Sequence, residues 1–181
     1  MNLPSFCEKE CPPFETLCST GDYEVRRYAS SMWVSTTEHS DSFSFGQLRA
    51  AERLVNYIEG ENSKGMKMPL TVPFVTQLSM SGDAVTVATL VPKNLHADPP
   101  TPQHPKVHFS LSRFDYLDTY VRCFTGYVSP DVTMDQARYL SDQLHDNGLC
   151  RVRDRVTVAE YDSQSRLFDR HNEVSFKFMK E

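Results

Sequence analysis

Apolar and polar residues alternate with a period of two over residues 23–28, 33–37, 85–91, 107–111, 119–124, 155–161 and 174–178. That period sends one row of side chains toward a core and the other away from it, so each stretch predicts a half-buried β-strand. Residues 70–78 form a longer apolar run, which Pro73 should bend or hold at a sheet edge because proline has no amide hydrogen for a ladder. In total about eight strands are predicted. Two stretches switch to the helical period. Over residues 45–59, Leu48, Ala51, Leu54, Val55 and Ile58 share a stripe, Ser44 and Gln47 have capping-box spacing, and Gly60 supplies a stop. Over residues 133–147, Ala137, Leu140 and Leu144 form the buried stripe, Thr133 and Gln136 repeat the capping-box pattern, and Asn147-Gly148 supplies a left-handed cap.

The order of elements repeats. Strand, strand, helix, strand, strand occurs twice at an offset of about 85 residues, with Tyr23 against His108 and Val85 against Val174. Each half alone would leave a sheet face bare, and pairing the halves covers it. The expected fold is therefore α+β: a distorted antiparallel β-barrel in two pseudo-symmetric halves, with two main helices packed on it. The proline-rich stretch from His96 to Pro105 is the crossover between halves. Residues 1–20 are set apart as a Cys-rich N-terminal segment, and 21–181 are taken as one domain. Where helix and sheet surfaces diverge, such a fold offers a groove for a flat apolar ligand.

Composition narrows the function. With 39% hydrophobic and 24% charged residues in 181, the chain can build a core. A net charge of −5 argues against nucleic acid as a partner, because binding a phosphate backbone needs a surplus of Lys and Arg. The longest stretch without charge, residues 68–82, contains Pro69 and Pro73 and is too polar for a membrane helix. Neither a basic start nor an apolar run marks a secretion signal, so the chain as written predicts a cytosolic protein with reduced thiols. Cys7, Cys11 and Cys18 crowd the N-terminus, however, and a secreted protein that had lost its signal would place a disulfide staple there.

Motifs for catalysis are absent. No Gly-x-Ser-x-Gly, phosphate loop, dinucleotide fingerprint or His-Glu-x-x-His occurs, so the chain is not expected to be an enzyme. Cys123 or Cys150 could join a histidine in a nucleophilic pair, but a thiol in a predicted strand is ordinarily core. Cys7 and Cys11 make only half of a zinc site, and no metal site is expected. Cys11-Pro12 could present a thiolate to haem iron, but a turn or a disulfide explains it as well.

Longer strings are more specific. Asp22-Tyr-Glu-Val-Arg-Arg-Tyr28, Trp33-Val-Ser-Thr36, Tyr57-Ile-Glu-Gly-Glu-Asn62, Met66-Lys-Met-Pro-Leu-Thr-Val-Pro73, Asp98-Pro-Pro-Thr-Pro102 and Arg170-His-Asn-Glu-Val174 occur in this order. Together they resemble the SOUL haem-binding-protein family over nearly the whole chain. The resemblance implies a distorted two-halved barrel that binds haem or a related tetrapyrrole non-covalently, for buffering, transport or delivery. It further implies a groove between the first helix and the loop before the last strand. Here those positions carry Leu48, Ala51, Leu54 and Val55 on the helix and Arg166, Leu167, Phe168 and Arg170 near the loop, with the arginines facing the propionates. Three departures stand out: Arg27 where some members have a histidine taken as an axial ligand, Gln164 where proline is frequent, and Ser175 where tryptophan is usual. With no histidine at 27, the resemblance implies apolar contact rather than axial ligation. Two other readings remain. One is a protein-interaction module using residues 140–151, where Leu140 and Leu144 are spaced i, i+4. The other is an enzyme transforming small molecules on the same barrel, for which no acid/base pair is evident.

Overall fold

The computed structural model describes residues 4–40, 42–112, 118–151, 155–163 and 165–178. In chain order the elements are β1 (Phe14–Ser19), β2 (Glu24–Tyr28), β3 (Ser31–His39), α1 (Phe43–Glu59), β4 (Phe74–Ser79), β5 (Ala84–Leu90), β6 (Val107–Ser112), β7 (Asp118–Phe124), α2 (Pro130–Asp146), β8 (Arg155–Glu160) and β9 (Asn172–Lys177). All the strands join one antiparallel sheet, ordered β1-β2-β7-β9-β8-β4-β5-β3-β6.

The duplication read from the sequence appears in that order. Matching β2 with β6, β3 with β7, β4 with β8 and β5 with β9 makes the sheet a palindrome about the β4–β8 pair, where Thr76 faces Val158. The palindrome leaves out β1, a ninth strand added beyond β2 and lying within the segment set apart at the N-terminus. The sheet has β1 and β6 as its two edges and does not close, so the expected barrel is an open, curled sheet. Pro73 stands just before β4, outside its ladder, and the strand occupies a central place in the sheet rather than an edge.

Both helices lie on one face, α1 over β3 and β5 and α2 over β7 and β9. Alternation decides which strand residues meet them: Val34, Val85, Val87, Val156, Val158 and Val174 are buried there with Ala50, Leu54, Tyr57 and Ile58 of α1. The helix starts differ from the sequence expectation. α1 begins after Ser42 rather than Ser44, and α2 begins at Pro130 after Ser129, whose hydroxyl accepts from the Val132 amide at 3.2 Å. Proline in the first turn explains the earlier start, since its missing N–H is not needed there. Thr133 therefore lies inside α2, buried, instead of capping it. At the other end Gly148 takes a φ of 66°, and the Leu149 amide reaches the Leu144 carbonyl at 2.8 Å, closing the helix as a Schellman cap. Leu140 and Leu144 are fully buried, so this helix offers no leucine pair to a protein partner.

Candidate functional site

The apolar stripe of α1 divides into two. Leu54 is 0% exposed and Ile58 is buried, both packed into the core. Phe45, Leu48 and Val55 are 66%, 65% and 50% exposed, and Ala51 is half-buried between the two groups. Positions i, i+3 and i+10 share a helix side, so Phe45, Leu48 and Val55 form an outward apolar strip. Large apolar side chains left open together on one helix are the kind of surface that a ligand covers.

The loop between β8 and β9 starts at the sheet end where Phe74, the first residue of β4, pairs with Glu160. The C-terminus of α1 reaches that same end, with the Met68 amide bonded to the Ile58 carbonyl at 2.9 Å. Leu167 and Phe168 project outward from the loop, Phe168 being 79% exposed. Arg166 is at the surface, its guanidinium 2.8 Å from Asp162 and 3.1 Å from Glu8. Arg170 is placed otherwise than the sequence suggests. It is buried, donates to the carbonyls of Ser163 at 2.7 Å and Arg166 at 3.1 Å, and lies over the Tyr127 ring. These bonds shape the loop, and Leu54 is likewise buried in the core. Arg27 forms a bidentate pair with Asp118 across β2 and β7, at 2.8 and 3.0 Å. Gln164 lies outside the described residues.

The opposite face of the sheet, which carries neither α1 nor α2, encloses a second space. A cavity of about 370 Å³ touches seven strands, from Tyr28 on β2 to Glu173 on β9, and Ser175 and Trp33 line it. The N-terminal segment covers one end. There Cys7 and Cys11 are joined in a disulfide while Cys18, Cys123 and Cys150 are free, Cys11 and Pro12 are buried, and Phe6 stacks on His171 at 3.8 Å. The expectation of reduced thiols throughout thus gives way at the first pair.

Beneath this end lies a buried polar network. Glu173 accepts from Arg26 at 2.7 Å, from His171 at 2.8 Å and from the Tyr161 hydroxyl at 3.0 Å. Burial works against its charge, but His171 and Arg26 outweigh that cost and hold the carboxyl below its ordinary range. The Cys123 sulfur, a His171 nitrogen and a Glu173 oxygen lie within 4.8 Å of one another, a spacing a metal ion could use. The Arg26 guanidinium, bonded to Glu173 and 3.6 Å from the Cys123 sulfur, already supplies positive charge at that spot and would repel a cation.

For His171 burial disfavours the charge, yet bonds to Cys123 and Glu173 prevail and push the imidazole up to about 9. A raised pKa contributes stability in full below the ordinary 6.5 and loses it as pH rises through about 9. Thermal melts between those values should show the wild type losing more stability than His171→Asn. Parallel curves would mean that the imidazole carries no net linkage.

A family model described as SOUL heme-binding protein matches residues 9–177. Heme-binding protein 2 of Mus musculus is 31% identical over 85% of this chain and 77% of its own length, and its Homo sapiens counterpart is 30% identical over the same shares. Among solved structures, a hydrolase from Listeria innocua superposes with a TM-score of 0.55 at 9% identity, covering 94% of this chain and 93% of that one. The structure of SAV2435 bound to tetraphenylphosphonium gives 0.53 at 12% identity, covering 87% and 94%. At such identities these two share the fold alone.

Proposed function

Because the chain belongs to the SOUL heme-binding protein family, we propose that it binds haem or a related tetrapyrrole non-covalently, as a carrier or buffer and not as a catalyst. The observation that carries this reading is the exposed strip of Phe45, Leu48 and Val55 on α1, apolar surface that the core does not use. A porphyrin face needs such a surface, and the exposed Leu167 and Phe168 of the β8–β9 loop are further apolar area that the core does not use. The residues fit a ligand held by its faces rather than by its iron. Arg27 is engaged with Asp118, and His171 is bonded to Glu173 beneath Phe6. Arg166 is the surface cation of the loop, where a propionate would compete with Asp162 and Glu8. The Cys7–Cys11 disulfide supports an oxidising compartment.

Haemin added to the protein should give a saturable shift of the Soret band at about one haem per chain. Phe45→Asp and Leu48→Asp should each weaken it by about tenfold or more, since burying such a side chain is worth about 1.5–3 kcal/mol. Single His-to-Ala substitutions should leave it unchanged. Normal titration of both Asp variants, or loss of binding in one histidine variant, would overturn the apolar seat on α1.

A further inference from the structure

We propose that Cys123 is a nucleophilic modification site that takes up small thiols as mixed disulfides, by exchange with disulfides of low molecular weight. A thiol in a strand is ordinarily core, but Cys123 on β7 is exposed. The sheet explains why. The ladder between β2 and β7 ends where Glu24 pairs with Val121, two positions short of Cys123, so no β2 residue pairs with it. On its other flank Cys123 pairs with Glu173 of β9, which brings the two side chains together on one face.

Two donors converge on the sulfur. Arg26 gives its Nε to Glu24 at 2.6 Å and its Nη1 to Glu173 at 2.7 Å, and turns Nη2 to the Cys123 sulfur at 3.6 Å. His171, held by Glu173 at 2.8 Å and by Phe6 stacked on its ring at 3.8 Å, bonds the same sulfur. Its imidazole is pushed up to about 9, so at neutral pH both donors are cations. The acids of the cluster, Glu24 and Glu173, are engaged by those cations, while Tyr28 and Tyr161, whose phenols burial pushes up, add no charge. Cationic donors favour the negative charge that a sulfur carries as it attacks. Cys18 and Cys150 are exposed too, yet among the described residues no cationic side chain bonds either sulfur.

The reaction balances without a further oxidant. The Cys123 sulfur, having lost its proton, attacks one sulfur of a small disulfide. A new S–S bond forms as the old one breaks, and the departing half takes up a proton and leaves as a thiol. Cys123 is thereby oxidised to the mixed disulfide and the departing half is reduced. An oxidising compartment, of the kind that the Cys7–Cys11 disulfide supports, would hold such reagents.

The probe is 2-hydroxyethyl disulfide, which is uncharged and so is not steered to one thiol by surface charge. After brief treatment of the folded protein, peptide mapping by mass spectrometry should find the hydroxyethylthio group on Cys123 about tenfold more often than on Cys18 or Cys150, the factor that a charge-assisted hydrogen bond to the reacting atom supplies. In urea the three rates should converge. His171→Asn should slow Cys123 about tenfold and leave Cys18 and Cys150 as they were, a pattern that general loosening of the fold would not produce. His171→Gln serves if the Asn variant melts early. Equal rates at the three thiols of the folded wild type would overturn the site, because exposure alone would then set reactivity. So would an unchanged Cys123 rate in a folded His171 variant.

Discussion

Arg26→Met is expected to lower the unfolding free energy by about 3–5 kcal/mol, the cost typical of breaking a buried ion pair from one side. The guanidinium is buried on β2, bonded to Glu24 at 2.6 Å and to Glu173 at 2.7 Å, and it lies 4.2 Å from the centre of the Phe14 ring. Its removal leaves Glu173 buried with its charge answered by His171 alone and with one other hydrogen bond, from Tyr161. Most of the loss is the cost of that stranded carboxylate, so removing the charge as well should recover much of it. In urea denaturation the Arg26→Met/Glu173→Gln pair should therefore be more stable than Arg26→Met alone. A loss below about 1 kcal/mol for the single variant would show that the network behaves like an exposed salt bridge. Two additive single effects would show that Arg26 and Glu173 are uncoupled.

That network was not legible in the sequence, and the reason is physical. Arg26 and Glu173 are 147 residues apart, and β2 and β9 are separated in the sheet by β7, so no local period links them. What periodicity does register is a face repeatedly turned to a core, which is why strands β2 to β9 and both helices were found. β1 escaped because five of its six residues are exposed, leaving no alternation to read. Arg170 looked available to a ligand because arginine is ordinarily at a surface; its partners include backbone carbonyls of its own loop, which carry no side-chain signature. That the indole of Trp33 has no partner among the described residues is illegible for the same reason, since the alternation of β3 gives its facing but not its hydrogen bonds. Phe45 stands at the first position of the helical period, and nothing in that period marks it as exposed.

Within α1 the sequence stripe joined residues that the structure separates, and substitutions should separate them again. Leu54→Ala removes a side chain packed in the core among Ala50, Tyr57 and the valines of the sheet, and should cost about 2–5 kcal/mol in transfer energy and cavity. At a temperature where the variant is fully folded, its haemin affinity should match the wild type. Leu48→Ala should do the reverse. Its side chain is 65% exposed, so stability should change by no more than about 0.5 kcal/mol, whereas apolar area for the ligand is lost and haemin binding weakens several-fold. The two residues are six positions apart, which on a helix places them about 120° from each other, so one can pack on the sheet while the other faces outward. If folded Leu54→Ala loses haemin while Leu48→Ala binds it normally, the ligand enters between α1 and the sheet. The helix would then have to lift from β3 and β5 to admit it, and the exposed strip would not be the seat.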